Sequence, residues 1–214
     1  MSIDQMRKSY QLSGLTEQEV HTDPIEQFRL WFDQAKQGDV PSWLEVNAVT
    51  LSTANAAGRV TSRIVLLKGI DSGRFVFFSN YESNKGKQIE ENPNVSLCFL
   101  WPHLERQVRI SGRASKSSRE VSIEYFHSRP RGSQLGAHVS EQSATIDGRD
   151  ILLATLTKLE SRYEGKVIPC PEHWGGYLVE PAEIEFWQGR ENRLHDRIVY
   201  VSQDDRWTMH RVAP

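Results

Sequence analysis

Near the C-terminus, Trp187-Gln188-Gly189-Arg190-Glu191-Asn192-Arg193-Leu194-His195-Asp196-Arg197 gathers three arginines, an imidazole and an indole into one short segment. Guanidinium forks match phosphate or carboxylate oxygens, and imidazole titrates near neutrality. The segment therefore has the means to hold an anion and to steady charge during a hydride or proton transfer. If it is extended, Arg193 and His195 share one side, Arg197 continues that side and Leu194 faces the core. The plainer alternative is a basic surface strand, against which Trp187 stands as a costly ring to expose.

A second cluster, Arg63-Ile64-Val65-Leu66-Leu67-Lys68, sets two cations at the ends of an apolar run. Five positions apart, they fall on opposite faces of a regular strand, so one ligand meets both only around a strand end or across a bulge. The competing reading is two exposed charges flanking a core strand. Ser83 and Lys85 occupy a helix start, where backbone N–H groups favour phosphate, although an N-cap beside a solvated lysine fits equally. Tyr125, Arg129 and Ser133 recur every four residues, yet Pro130 forbids a single helix face carrying all three; an amphipathic helix end is the bland version. Two anionic groups on small ligands would answer these clusters.

The elements that must position them follow from periodicity. Asp23 before Pro24 is an N-cap with proline in the first turn, and Ile25, Phe28, Trp31, Phe32 and Ala35 give one apolar face, so a helix is predicted over 24–37. Strands are predicted at 48–53, 60–68, 74–78, 94–100, 107–113, 177–179, 184–188, 197–201 and 207–212. Short helices are expected at 83–91 and from a Ser117/Glu120 capping box toward His127, interrupted by Arg129-Pro130-Arg131. A longer one, over 148–162, carries Ile151, Leu152, Thr155, Leu156 and Leu159 at helical spacing. Many antiparallel strands with peripheral helices predict a closed or partly closed barrel, because closure removes exposed edges. Residues 1–22 read as a mobile arm and 23–214 as one domain.

Composition narrows the classes. Twenty-six Lys plus Arg against 28 Asp plus Glu give a formal charge of -2, so no global field recruits nucleic acid, and the basic clusters are discrete. Cys98 in an apolar run and Cys170 beside Pro171 form neither a disulfide framework nor a metal pattern; they read as a buried small hydrophobe and a loop thiol. No signal peptide and no run of roughly 20 apolar residues is present, which makes a soluble cytoplasmic protein the expectation. Dinucleotide, Walker, zincin and nucleophile-elbow signatures are missing.

One set of blocks recurs in a fixed order: Arg63 to Lys68, Gln88-Ile89-Glu90, Leu104-Glu105-Arg106-Gln107-Val108, Tyr125 to Arg131, Ser140-Glu141-Gln142-Ser143, Phe186-Trp187-Gln188-Gly189 and Arg193 to Arg197. On these blocks, from about residue 7 to 214, the chain resembles the pyridoxamine 5'-phosphate oxidase family. The resemblance implies a mainly β fold with peripheral helices, a split β-barrel homodimer that binds FMN at the subunit interface. It implies FMN contacts from Arg63, Ile64, Val65, Leu66, Leu67 and Lys68, from Phe78 with Ser79, Asn84 with Lys85, and Gln107, Gln142, Ser143, Trp187 and Arg197. It also implies substrate contacts from Lys68, Tyr125, Arg129, Ser133, Arg193 and His195, with Arg7 and Tyr10 reaching in from the arm. Arg193 and His195 are the expected catalytic pair, orienting the substrate and stabilising charge.

The implied reaction oxidises the 4' carbon of pyridoxamine or pyridoxine 5'-phosphate to the aldehyde through FMN and O2, releasing hydrogen peroxide, and ammonia from the amine. A related flavin oxidase for another aromatic substrate, or a non-catalytic carrier, are the alternatives. Two positions depart from the family pattern: Asn84 stands where a basic residue is usual, and Phe78 where tyrosine is common.

Overall fold

The computed structural model describes residues 2–5, 8–204 and 206–214. Helix α1 (Pro24–Ala35) begins as the sequence dictates, with the Asp23 carboxylate accepting the Ile25 N–H at 2.8 Å. Its buried face sets Phe28 edge-on against Phe75 and Phe99, at 4.9 and 5.0 Å between ring centroids, and plugs the core. Strands β1 (Ala48–Ala54), β2 (Val60–Leu66), β3 (Gly69–Asp71), β4 (Arg74–Asn80), β5 (Asn94–Trp101), β6 (Arg106–Lys116), β7 (Trp174–Gln188), β8 (Asp196–Gln203) and β9 (Arg206–Arg211) make one sheet. Its order is β2-β1-β5-β6-β7-β4-β3, with β8 paired to β7 and β9 to β8, and the pairs are antiparallel.

The long β7 makes the sheet curl. Its first half pairs with β4 and its second half with β8, while β6 runs beside both. The sequence predicts two strands here, 177–179 and 184–188, with 180–183 between them. It is one strand, and the register with β6 shifts between Ser111 and Gly112, opposite Pro181. Proline withholds one N–H from the ladder, and a bulge absorbs that loss without ending the strand.

The helices cluster on one flank: α2 (Asn84–Glu91), α3 (Arg119–Ser128), α4 (Arg131–Val139) and α5 (Arg149–Arg162). The cap of α3 is Ser118, not Ser117: Ser118 Oγ accepts the Val121 N–H at 3.3 Å, while Ser117 Oγ pairs with Ser122 Oγ at 3.0 Å. Pro130 does more than interrupt, since it opens α4, which sequence did not predict. On α5, Ile151 is exposed, whereas Leu156 and Leu159 pack against a small second core of Phe126, Leu135, Ile168 and Trp174. Cys98 is only half-buried, because it points to the outer face of β5 while Leu97 and Phe99 point inward.

Candidate functional site

The main site is a cleft of about 500 Å³ between β2, β4, the α3–α4 corner and the Gln142 loop. Strand β2 brings Arg63, Ile64, Val65 and Leu66 to it. Lys68 reaches the same cleft because the strand ends at Leu66; its own N–H turns to the Val76 carbonyl of β4 at 2.8 Å, so alternation no longer governs it. The corner at Pro130 performs a similar service. Tyr125 lies on α3, Arg129 caps it and Ser133 lies on α4, and all three line the cleft although no single helix carries them.

Four cations face this space: Arg63, Lys68, Lys85 and Arg129. Among the described residues none of the four makes a salt bridge, whereas Arg74, Arg109, Arg119, Arg197 and Arg211 elsewhere all find carboxylates. Arg63 donates to the Leu51 carbonyl at 3.1 Å and to the hydroxyls of Thr53 and Thr61. Lys85 Nζ donates to Ser79 Oγ at 2.9 Å, Ser83 Oγ at 3.1 Å and Gln142 Oε1 at 2.9 Å. Burial, with Arg63 nearby, pushes the Lys85 ammonium down to about 8. Burial also lowers the pKa of Arg63 and Arg129, and Arg129 Nη1 is buried with no partner. Cations held together by neutral donors and acceptors await an anion.

At the head of α2, the Ser83 hydroxyl accepts the Gly86 N–H, and the Asn84 N–H donates to Ser143 Oγ at 3.3 Å, which ties the Gln142-Ser143 loop to the helix start. The floor is aromatic. Phe78 stacks on Tyr125 at 3.8 Å between centroids, Trp174 lies parallel beyond them, and the Arg129 guanidinium sits 4.6 Å from the Trp174 ring centre. Trp174 was not anticipated from sequence. Its signal was Trp174-Gly175-Gly176: a Cβ on Gly175 would come within 2.1 Å of the Tyr81 hydroxyl, so the backbone there must lie close to its neighbours.

Arg193 and His195 gather elsewhere in the same chain, with Lys8, Ser9, Tyr10, Arg190 and Asn192 around a hollow of about 640 Å³. Trp187 lies 4.6 Å from the imidazole, and Tyr10 stands edge-on to both rings at 5.7 Å. The Arg190 N–H donates to His195 Nδ1 at 3.0 Å, so in the neutral ring the proton sits on Nε2. Burial, then the Arg193 charge, lowers the His195 pKa.

The segment is not extended. A 3-10 turn over Glu191–Arg193 places Asn192 and Arg193 at φ 54° and 62°, a left-handed conformation that non-glycine residues hold at a cost of about 1 kcal/mol or more. As a result Leu194 is 68% exposed instead of facing the core, and Arg197 leaves the group. Arg197 forks onto Glu185 at 2.8 and 3.0 Å and stands in one cross-strand row with Trp187 and Gln107. Leu67 points into the core and lines a separate apolar hollow, not the cleft. Arg7 lies outside the described residues. One chain therefore holds two separate groups of the expected residues: Arg63 to Gln142 in the cleft, and Tyr10, Trp187, Arg193 and His195 outside it.

Residues 40–163 match the family model for pyridoxamine 5'-phosphate oxidase, and residues 174–214 match the one for the pyridoxine 5'-phosphate oxidase C-terminal dimerisation region. A Rhodopirellula baltica protein named pyridoxine/pyridoxamine 5'-phosphate oxidase is 55% identical over all of this chain and 97% of its own length. The chain belongs to the pyridoxamine 5'-phosphate oxidase family. A Leptospira interrogans relative of the same name is 52% identical, over 99% of this chain and 98% of its own.

Among solved structures, PhzG from Burkholderia lata, in complex with tetrahydrophenazine-1-carboxylic acid, superposes with a TM-score of 0.86 at 27% identity, covering 95% of this chain and 99% of that one. A pyridoxamine 5'-phosphate oxidase-related, FMN binding protein from Nostoc punctiforme shares the fold at a TM-score of 0.69 and 15% identity, over 94% of this chain and 98% of its own. The mainly β split-barrel fold expected from sequence is the fold found. Membership supports a flavin and homodimer formation, and the region named for dimerisation carries Trp187, Arg193, His195 and Arg197.

The cleft fits a flavin phosphate, because Arg63 and Lys85 supply positive charge, and Ser79, Ser143 and the head of α2 supply neutral polar groups. The lowered Lys85 pKa makes that fit pH-dependent. Below about 8 the ammonium is present before the ligand arrives; above it, binding a phosphate must take up a proton. A flavin phosphate bound here is expected to lose affinity above pH 8, by up to about tenfold per pH unit until the bound-state pKa is reached, and again below about pH 6, where the phosphate itself takes up a proton. Quenching of FMN fluorescence by apoprotein between pH 7 and 10 measures this, and a flat dissociation constant would show that Lys85 does not meet the phosphate.

Proposed function

We propose that the protein is an FMN-dependent oxidase of pyridoxamine 5'-phosphate and pyridoxine 5'-phosphate, acting as a homodimer with its cofactor sites between the subunits. The observation that carries this reading is the cleft with four cations and, among the described residues, no carboxylate answering them. Arg63 and Lys85, with Ser79, Asn84, Gln142 and Ser143 close by, take the FMN phosphate. Lys68, Arg129, Ser133 and Tyr125 take the phosphate of the substrate.

Bound FMN supplies a two-electron acceptor that O2 reoxidises to complete turnover. The protein's own groups position the rest. Phe78, Tyr125 and Trp174 give a flat apolar wall for an aromatic ring and stiffen Arg129. The group bearing Arg193, His195, Trp187 and Tyr10 of one subunit closes the cleft of the other, with Gln107 and Arg197 in the row beside it. Within that group His195 offers an Nε2–H donor and Arg193 a fixed positive charge, both suited to orienting a pyridine with polar ring substituents so that its 4' carbon faces the flavin. The amine, O2 and water give the aldehyde, ammonia and hydrogen peroxide; the alcohol and O2 give the aldehyde and hydrogen peroxide.

Lys68 and Arg129 favour a phosphorylated substrate over the carboxylic acid held by PhzG. No helix among the described residues is long and apolar enough to cross a membrane. The same reading takes residues 23–214 as one cytoplasmic domain with residues 1–22 as its arm.

The test is anaerobic mixing of FMN-loaded protein with each phosphorylated vitamer while the oxidised-flavin absorbance is followed. Bleaching is expected with both, and bleaching with neither would sink the oxidase reading in favour of a carrier. Arg193→Ala is expected to slow flavin reduction about thirtyfold, the loss of one charge-assisted contact of roughly 2 kcal/mol, with FMN retention nearly unchanged. Equal loss of both would place Arg193 against the cofactor instead.

A further inference from the structure

Glu105 is a buried carboxylate: its side chain is 3% exposed, and among the described residues its one ion-pair partner is Lys8. Its hydrogen-bond and ion-pair partners in the described structure come from one short stretch of the arm. Oε2 accepts the N–H of Gln11 at 2.8 Å and that of Leu12 at 3.1 Å, and Oε1 lies 3.6 Å from the Nζ of Lys8, whose own side chain is 67% exposed. A carboxylate withdrawn from water needs donors, and here the arm's backbone provides them.

The other side of the same residue faces the strand that carries Trp187. The Glu105 carbonyl accepts the Gly189 N–H at 2.8 Å and Gln188 Nε2 at 3.2 Å, and Glu105 is held at φ 55° in the left-handed region. One residue thus fastens the arm to the end of β7. Tyr10, next to Gln11, consequently rests on Trp187 and His195, so close to Gly189 that a Cβ there would come 2.7 Å from the Tyr10 ring. Later parts of the arm are fastened independently, through Leu15 N–H to Asp196 at 3.1 Å and through the Arg211 to Glu17 pair at 2.8 Å.

We propose that Glu105 is a positioning residue that latches residues 8–12 of the arm, so that Tyr10 forms a wall of the His195 group. The latch stands on geometry alone; only its consequence for turnover rests on the oxidase reading above.

The test uses full-length FMN-loaded protein. Glu105→Gln keeps the size of the side chain and removes its charge, and amide exchange at Gln11 and Leu12 is expected to rise about tenfold, while residues 15–17 and strands β6 and β7 keep wild-type protection. Gln11→Pro removes one accepted N–H from the arm side without altering the core, and should Glu105→Gln fold poorly it is expected to raise exchange at Leu12, the latch amide that it keeps. In turnover, both variants are expected to raise KM for pyridoxamine 5'-phosphate about tenfold and to change kcat less. Unchanged arm exchange in both variants overturns the latch. Loosening that spreads into β6 and β7 overturns it too, since Glu105 would then be general support. Local loosening with an unchanged KM overturns the wall at Tyr10. Because exchange is read without substrate, a protein that oxidises neither vitamer leaves the latch result intact.

Discussion

Arg129→Ala is expected to lower kcat/KM for pyridoxamine 5'-phosphate by a factor of about 100 to 1,000, corresponding to roughly 3–4 kcal/mol for a paired guanidinium and phosphate removed from water. The size of the loss comes from preparation. The guanidinium lies 4.6 Å from the centre of the Trp174 ring, it makes no salt bridge among the described residues, and Nη1 is buried with no partner. The protein therefore carries a desolvated charge whose cost the substrate phosphate offsets, and alanine deletes both halves of that exchange. Flavin retention should change little, since Arg63 and Lys85 remain. Arg129→Lys should recover only part of the loss, because an ammonium neither stacks on Trp174 nor presents two parallel donors. Steady-state kinetics with the phosphorylated vitamer, alongside flavin titration, decides this. A loss of less than fivefold would remove Arg129 from the phosphate site.

How far the sequence allowed this to be anticipated differs from element to element. Helix α1 was legible because Asp23, Pro24 and the spacing of Phe28 and Trp31 are local signals that agree with the final packing. Ser83 and Lys85 were legible for the same reason, one being the cap and the other its neighbour in the first turn. Arg63 and Lys68 looked incompatible, because alternation assumes that a strand continues, and the pairing that ends β2 at Leu66 is a long-range property. Leu194 was misplaced for a related reason. Two consecutive left-handed residues, Asn192 and Arg193, reverse the chain where extension was assumed, and neither is a glycine that would have advertised the turn. Trp174 and Glu105 act through contacts far away in sequence. The glycine pair after Trp174 signals a close backbone approach but not the arginine that the ring meets, and no local pattern separates Glu105 from an ordinary surface glutamate. The resemblance names candidate site residues, and the fold places them within one chain in two groups.

Glu185→Ala is expected to destabilise the protein by about 2–3 kcal/mol, to weaken the dimer and to release flavin. The Glu185 side chain is 3% exposed and serves two arginines, forking onto Arg197 and accepting from Arg109 across the β6–β7 pair. That hydrogen bonding raises the Arg197 pKa, so the guanidinium stays charged whatever its surroundings. Removing the carboxylate leaves two cations near each other on adjoining strands. The usual cost of breaking a fully buried pair is roughly 3–5 kcal/mol, and the smaller figure applies because the Arg109 and Arg197 side chains are 43% and 26% exposed. The damage falls where the dimer is proposed to form. Glu185 and Arg109 share a cross-strand row with Cys98, Thr50 and Ile64, on a face that leaves Ile64 62% and Leu100 57% exposed, and a second copy would bury that apolar surface together with the charges. Glu185→Gln keeps an acceptor for one arginine and should lose about half as much. Urea unfolding, sedimentation and retained flavin absorbance measure the three effects together. A variant with wild-type unfolding that remains dimeric would mean the arginines are held by something other than this carboxylate, whereas a stable protein that loses only flavin would confine its role to aiming Arg197.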